Sequence, residues 1–243
     1  MFEIHPAQSL LRLDPDLGQL LSDERRGAAE RQVSVSVAAI APGVWRPERL
    51  CATNRASNVG LLLLNGVVVR ETRLLDAPSA ELFGPGDIIR TWQAEASQLA
   101  LRASIEWRTL ERTSVAVMDG ATALALRGYP EIMAVVLDRL NARAERLAVT
   151  QAISQITGVE TRIEALLWHL AQRWGRVGKD GVIVGLALSH RMIGSLVGAR
   201  RPTVSTALAR LADDRRVQRR PDGLWLLTGS EPRPADGDRV LAA

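Results

Sequence analysis

The segment Leu188–Leu211 constrains this chain most, because it carries the signals of two short helices separated by a tight break. Ser189 is a good N-cap for the first helix. Gly198 ends that helix, since glycine adopts the left-handed conformation needed at a helix C-terminus. Pro202 is tolerated in a first helical turn and opens the second helix. The apolar residues of the two helices are Met192, Ile193, Leu196, Val197, Val204, Leu208 and Leu211. The segment therefore predicts a helix-turn-helix.

The residues on either side complete a winged module. Arg215–Arg220 and Leu224–Leu227 predict two strands joined by a Pro-Asp-Gly turn. Upstream, Gly181–Leu186 is apolar and β-branched and predicts a strand, and an amphipathic helix ends near Trp174-Gly175. The apolar face of that helix consists of Val159, Ile163, Leu166, Leu167 and Leu170. In a winged helix-turn-helix, the second helix enters the major groove of DNA.

Positive charge is concentrated in the same segment. The chain has a net charge of only +4 but a pI of about 10.4. The pI is high because nearly all the basic residues are arginine, which stays charged well above pH 10. A GC-rich genome would also favour arginine, so the position of the excess charge is more informative than the pI. Residues 188–228 contain eight arginines and three aspartates and carry +5, whereas residues 1–187 are neutral and residues 229–243 carry −1. A basic module on a neutral body is typical of a nucleic-acid-binding protein.

The N-terminal half predicts a different architecture. Residues 1–30 are expected to form short helices, and the alternation of Val33, Val35 and Val37 with polar residues predicts a strand. Glycines then separate short apolar runs, and Gly84–Asp87 predicts a turn. The runs are Leu61–Leu64, Val67–Val69, Glu81–Phe83, Ile88–Ile89 and Val115–Met118. This pattern favours an antiparallel roll, barrel or sandwich.

After Gly128-Tyr129-Pro130 the apolar residues follow a helical period. They form a heptad seam of Met133, Leu137, Leu140, Ala144 and Leu147. Two interpretations remain open: the helix packs on its own domain, or the seam pairs with its own copy in a homodimer. Three heptads are too few to decide between them.

Several classes of protein are not expected. The single cysteine, Cys51, allows no internal disulfide or cysteine cluster, and the three histidines lack metal-ligand spacing, so we expect neither a metal nor a cofactor. No secretory signal or apolar run of membrane-spanning length is visible, so we expect a cytoplasmic chain without a membrane partner. The chain shows no nucleophile motif or phosphate-binding loop and is not expected to be an enzyme.

The helix-turn-helix segment, LSHRMIGSLVGARRPTVSTALARL, resembles the recognition unit of the CRP/FNR family of bacterial transcription regulators. VETRIEALLWHLA is similar to the helix before that unit, and LLLLNGVVVRE and LFGPGDII resemble strands of the family's cyclic-nucleotide-binding roll. The resemblance covers roughly residues 31–228. It implies an α+β fold with an N-terminal antiparallel β-roll (1–128), a long dimerisation helix (129–155), a C-terminal winged helix-turn-helix (156–228) and a disordered tail (229–243).

The resemblance also implies which residues contact DNA. Arg201 aligns with the arginine that contacts guanine in the family, and bidentate arginine–guanine pairing is the commonest specific contact. Pro202 and Thr206 replace a glutamate and an arginine found in many relatives, so the family's best-known operator is not expected here. The predicted DNA-binding residues are Ser189, Arg191, Arg200, Arg201, Thr203, Ser205, Thr206, Arg219 and Arg220.

The effector pocket departs further from the family. Members that bind cyclic nucleotides carry a Gly-Glu pair and then an Arg-Ser pair, and here Arg90-Thr91 occupy the first pair's positions. Without that glutamate, cyclic AMP is not expected to bind by the usual contacts. Arg102 and Ser104, near the second pair, are the candidate effector-binding residues.

The function that the resemblance implies is a homodimeric regulator that binds pseudo-palindromic double-stranded DNA. Its further partners would be an unknown small-molecule effector and, in an activator, RNA polymerase. The alternative is a small-molecule sensor module whose DNA binding is weak or lost.

Overall fold

A computed structural model describes residues 2–50, 58–75, 77–90 and 103–232, and the chain divides into two units, Met1–Leu147 and Ala148–Ala243. The predicted α+β class is confirmed, with antiparallel sheets in both units and a winged helix-turn-helix in the second. The predicted domain boundaries remain predictions. No helix among the described residues combines the length and the apolar character needed to cross a membrane.

The first unit contains two antiparallel sheets that form the predicted roll. One sheet has the order β1-β2-β9-β4-β7, and the other has the order β3-β8-β5-β6. The strands of the first sheet are β1 (Phe2–Ser9), β2 (Ser34–Ile40), β4 (Gly60–Asn65), β7 (Ile88–Ile89) and β9 (Thr113–Met118). Those of the second are β3 (Gly43–Trp45), β5 (Val68–Leu74), β6 (Ala77–Phe83) and β8 (Ala103–Thr109).

Strand β4 of the first sheet is buried on both faces, which explains its continuous leucine run. Leu61 and Leu63 join a cluster with Trp45, Phe83 and Trp107 that draws on both sheets. Leu62 faces the opposite way and packs in a second cluster with residues of the helices. These helices are α1 (Leu10–Leu13), α2 (Asp23–Gln32), α3 (Gly120–Ala125) and α4 (Pro130–Gln155).

The expectation of short helices throughout residues 1–30 is wrong for Phe2–Ser9. This segment is an edge strand that pairs antiparallel with β2, with a register shift between His5 and Gln8. Most of its side chains are exposed, so it lacks the apolar alternation by which a strand is recognised. The predicted turn at Gly84–Asp87 is confirmed, since the Gly84 N–H donates to the Asp87 carboxylate over 2.8 Å.

Helix α4 places its heptad residues in two environments. Met133 and Leu140 pack partly against the chain's own core. Leu137 is 62% exposed and Ala144 is also exposed, while Leu147 is half-buried. Part of the seam therefore packs on the chain's own unit, and part of it is exposed to solvent among the described residues of that unit.

Three arginines on α4 hold this helix to the roll. They are spaced by four and then three residues, so they lie on one helical face. The ion pairs are Arg139 with Asp14, Arg143 with Glu81, and Arg146 with Asp87. The guanidinium of Arg143 donates two hydrogen bonds to Glu81, at 2.6 and 3.0 Å, and lies 4.9 Å from the ring centroid of Phe83.

The second unit is the predicted winged helix-turn-helix. Its helices are α5 (Val159–Trp174), α6 (His190–Val197) and α7 (Arg201–Asp213). Its sheet has the order β10-β11-β13-β12, formed by Gly175–Gly178 (β10), Gly181–Val184 (β11), Val217–Arg219 (β12) and Trp225–Leu227 (β13). Strands β12 and β13 pair antiparallel and form the wing.

Candidate nucleic-acid interface

The turn between α6 and α7 is fixed by local signals in the sequence. The Ser189 hydroxyl accepts a hydrogen bond from the Met192 N–H over 3.2 Å and caps α6. Gly198 ends α6 in the left-handed conformation, at φ +66°. The Ala199 N–H then donates to the Gly194 carbonyl over 2.9 Å. A Cβ on Gly194 would lie only 2.5 Å from the Ala199 carbonyl oxygen, so this turn requires glycine there.

Helix α7 presents a polar face beside a buried one. Its buried residues are Val204, Ala207, Leu208 and Leu211. Its first turn is exposed, with Arg200, Arg201, Pro202 and Thr203 all open to solvent. Neither arginine forms an ion pair with a carboxylate in the described part of the chain. Two unneutralised guanidinium groups therefore stand at the end of α7 that reaches base edges in this motif.

The other predicted residues of the two helices differ in how free their polar groups are. The Thr206 hydroxyl is exposed and donates to the Pro202 carbonyl over 3.3 Å. Ser189 and Arg191 lie exposed at the start of α6, where the Ser189 hydroxyl already serves as the helix cap. Ser205 is half-buried, and its hydroxyl donates to the Arg201 carbonyl over 3.1 Å. Of Ser205 and Thr206, Thr206 is thus the more accessible, and Thr203 is exposed as well.

His190 also belongs to this surface, although it is not among the predicted DNA-binding residues. Its Nδ1 lies 2.9 Å from the Ser205 Oγ, and its ring centroid lies 6.0 Å from that of Trp225 in β13. Burial lowers the pKa of His190 from its ordinary value, and the positive charges of Arg219 and Arg201 lower it further. The sequence signal that could have revealed it is its position next to the Ser189 cap.

The wing supplies two further arginines. Arg219 is exposed and lies over the Trp225 ring, with its guanidinium carbon 5.8 Å from the centroid. Arg220 donates to the Asp222 carboxylate over 3.1 Å, so its charge is partly neutralised. The hydrogen bond from the Leu224 N–H lowers the pKa of Asp222, and the Arg220 guanidinium lowers it further. Arg219 is therefore the freer cation of the pair.

Two ion pairs connect α5 to the rest of the module. Glu164 is almost fully buried and pairs with Arg216 just before the wing. Glu160 pairs with Arg210 near the end of α7, over 2.8 Å. Not all of the module's eight arginines are therefore available for DNA. Glu164 was missed by sequence reasoning because its partner lies 52 residues away, although its place between apolar neighbours on α5 was visible.

The described structure covers one of the two candidate effector residues. Arg102 lies outside the described residues. Ser104 is exposed on β8, opposite Arg73 of β5. Among the described residues there is no cluster of histidine, cysteine and carboxylate side chains that could hold a metal ion. The effector assignment remains a prediction.

Comparison with known proteins identifies the module. Residues 161–228 match the family model described as the Crp-like helix-turn-helix domain. The second unit contains a Crp-like helix-turn-helix domain. The resemblance to the CRP/FNR family is thereby confirmed. No curated protein sequence matches the chain.

Solved structures extend the similarity of fold to the N-terminal roll. A CooA mutant from Carboxydothermus hydrogenoformans superposes with a TM-score of 0.63 at 18% identity, covering 93% of this chain and 94% of that one. A cyclic nucleotide-binding domain containing protein from Listeria monocytogenes gives 0.64 at 12% identity, with 88% and 97% covered. A CRP-family transcriptional regulator from Thermus thermophilus gives 0.57 at 18% identity, with 79% and 91% covered. The chain thus has the fold of CRP/FNR-type transcription regulators.

Proposed function

We propose that this chain is a sequence-specific, DNA-binding transcription regulator of the CRP/FNR type. The observation that carries the proposal is the exposed first turn of α7, where Arg200 and Arg201 lack ion-pair partners among the described residues. Arg201 contacts a guanine through its O6 and N7 atoms, and Thr206 lies on the same helix within reach of bases or phosphates. Arg200, Arg191 and the wing arginines contact phosphates and fix the orientation of the module.

The regulator acts as a homodimer whose interface includes the exposed part of the α4 seam. Leu137 and Ala144 support this assignment, because both are apolar and exposed in the part of their unit that the structure describes. Pairing this seam with its copy would bury a surface that a monomer leaves in water. A two-fold dimer presents two copies of α7 and therefore binds a pseudo-palindromic site.

A selection from random DNA duplexes with the full chain tests this function. The expected result is an enriched pseudo-palindrome with half-sites about 10 base pairs apart, centre to centre. Running the selection with and without cyclic nucleotides separates ligand-dependent from ligand-independent binding. A pool without any enriched sequence under either condition would refute the proposal and favour a sensor module that has lost DNA binding.

A further inference from the structure

His190 joins the three elements that form the proposed DNA-binding face. It is the first residue of α6, its Nδ1 lies 2.9 Å from Ser205 of α7, and its ring lies beside Trp225 of β13. Trp225 is itself only 2% exposed and carries Arg219 over its ring. A single side chain thus connects the start of the helix-turn-helix to both the recognition helix and the wing.

The hydrogen bonds of Ser205 determine which nitrogen of His190 carries the proton. A serine hydroxyl has one hydrogen, and Ser205 directs it to the Arg201 carbonyl over 3.1 Å. With its hydrogen used in this way, the Ser205 oxygen accepts from His190, and this arrangement assigns the donor role to Nδ1 of His190. Nε2 is therefore the nitrogen that gains a proton when the ring becomes charged.

The charges around His190 oppose that protonation in the free protein. From α7 the ring faces Arg201, from the wing it faces Arg219, and no described carboxylate is among the groups that shift its pKa. Arg191, its neighbour on α6, adds a third positive side chain nearby in the sequence. A phosphate bound to Arg219, and the electronegative O6 and N7 atoms of a guanine bound to Arg201, would offset this repulsion and favour the charged imidazole.

We propose that His190 is a positioning residue of the DNA-binding face, which orients Ser205 and the first turn of α7 against the wing and takes up a proton when DNA binds. The inference rests on the proposed DNA-binding function. Because the complex holds more protons than the free partners, affinity must rise as the pH falls through the interval between the two pKa values of His190. If DNA binding raises the pKa of His190 by one unit, binding at a pH below both pKa values is about tenfold tighter than binding at a pH above both.

DNA affinity measured as a function of pH tests the proton uptake. Fluorescence anisotropy with the selected duplex would be recorded from about pH 7.5 to about pH 5.5 at constant ionic strength, the range in which histidine titrates. The wild type is expected to bind several-fold more tightly at the acidic end, and His190→Gln is expected to have a flat profile, because glutamine can still donate to Ser205 but does not titrate. His169→Gln, which changes the other histidine of this unit, should retain the wild-type slope.

Nitrogen-15 NMR of the histidine ring tests the positioning without DNA. The wild type should show the neutral tautomer protonated at Nδ1, and Ser205→Ala should shift the Nδ1 resonance in a protein that remains folded by circular dichroism. An Nε2-protonated tautomer in the wild type would overturn the assignment.

The two proposals fail in different ways. Equal pH slopes for wild type and His190→Gln would overturn the proton uptake while leaving DNA binding intact. Absence of wild-type DNA binding at every pH would overturn the proposed function itself.

Discussion

Two glycines in the turn of the helix-turn-helix should respond very differently to alanine. Gly194 lies inside α6, where an added Cβ would meet the Ala199 carbonyl oxygen at 2.5 Å. Gly198 ends the same helix at φ +66°, and a Cβ added there would meet no other atom within 4 Å. Gly194→Ala therefore pushes against backbone that carries α7, whereas Gly198→Ala imposes only a local conformational cost.

The magnitudes follow from these two geometries. In Gly194→Ala, the Ala199 carbonyl must move by roughly half an ångström, which costs about 3 kcal/mol, the upper end of the range for overpacking. The higher helix propensity of alanine recovers about 1 kcal/mol of this cost. For Gly198→Ala, the left-handed backbone costs about 1.5 kcal/mol, and reduced freedom of the unfolded chain returns about 0.5 kcal/mol. The expected net losses are thus about 2 and about 1 kcal/mol. In a chain of this size they lower Tm by roughly 6 °C and roughly 3 °C.

DNA affinity separates the two variants more sharply than stability does. Gly194→Ala shifts the start of α7, and misplacing one bidentate base contact costs about 1–3 kcal/mol, so binding to the selected duplex should weaken at least about fivefold. Gly198→Ala leaves α7 in place and should stay within about threefold of the wild type. Anisotropy titrations and thermal denaturation measure both effects. Equal losses of affinity in the two variants would refute the assignment of Gly194 as the packing point of the turn.

Three further predictions concern the ion pairs, the seam and the wing. Arg216→Met leaves the buried Glu164 carboxylate unpaired and should lower the free energy of unfolding by about 1–3 kcal/mol, less than for a fully buried pair because Arg216 is half-exposed. The double variant Arg216→Met/Glu164→Gln should recover part of the loss in urea denaturation, and a midpoint equal to that of Arg216→Met alone would contradict this. Leu137→Glu should convert a dimer to monomer in sedimentation velocity, while Leu124→Glu, at an equally exposed leucine off the seam, should remain dimeric; identical behaviour would exclude the seam. Arg219→Gln should reduce the slope of log affinity against log salt by about one, and an unchanged slope would show that Arg219 contacts no phosphate.

The helix-turn-helix could be predicted because its signals are local. A serine cap, a left-handed glycine and a first-turn proline each act within one helical turn, and all three have the predicted roles in the structure. Ser189, Gly198 and Pro202 therefore set the boundaries of α6 and α7 without reference to any tertiary contact. The leucine run of β4 was similarly informative, because burial on both faces leaves a continuous apolar stretch.

Other features depend on partners that are distant in the sequence. Arg139 and Arg143 are visible in the sequence as residues off the heptad seam, but their partners Asp14 and Glu81 are 125 and 62 residues away. Strand β1 is held at the sheet edge by pairing with β2 rather than by its own apolar pattern. The contact between His190 and Ser205 joins two helices whose crossing geometry no residue spacing specifies.

The central claim, that α7 recognises DNA sequence through its first turn, is tested most directly by repeating the duplex selection with Arg201→Ala. The wild-type selection is predicted to yield a guanine at one position of each half-site, and the variant is predicted to lose that guanine preference while keeping the half-site spacing. Replacing one bidentate arginine should cost about 1–3 kcal/mol for the guanine-containing site. An unchanged base preference in the variant would contradict the account.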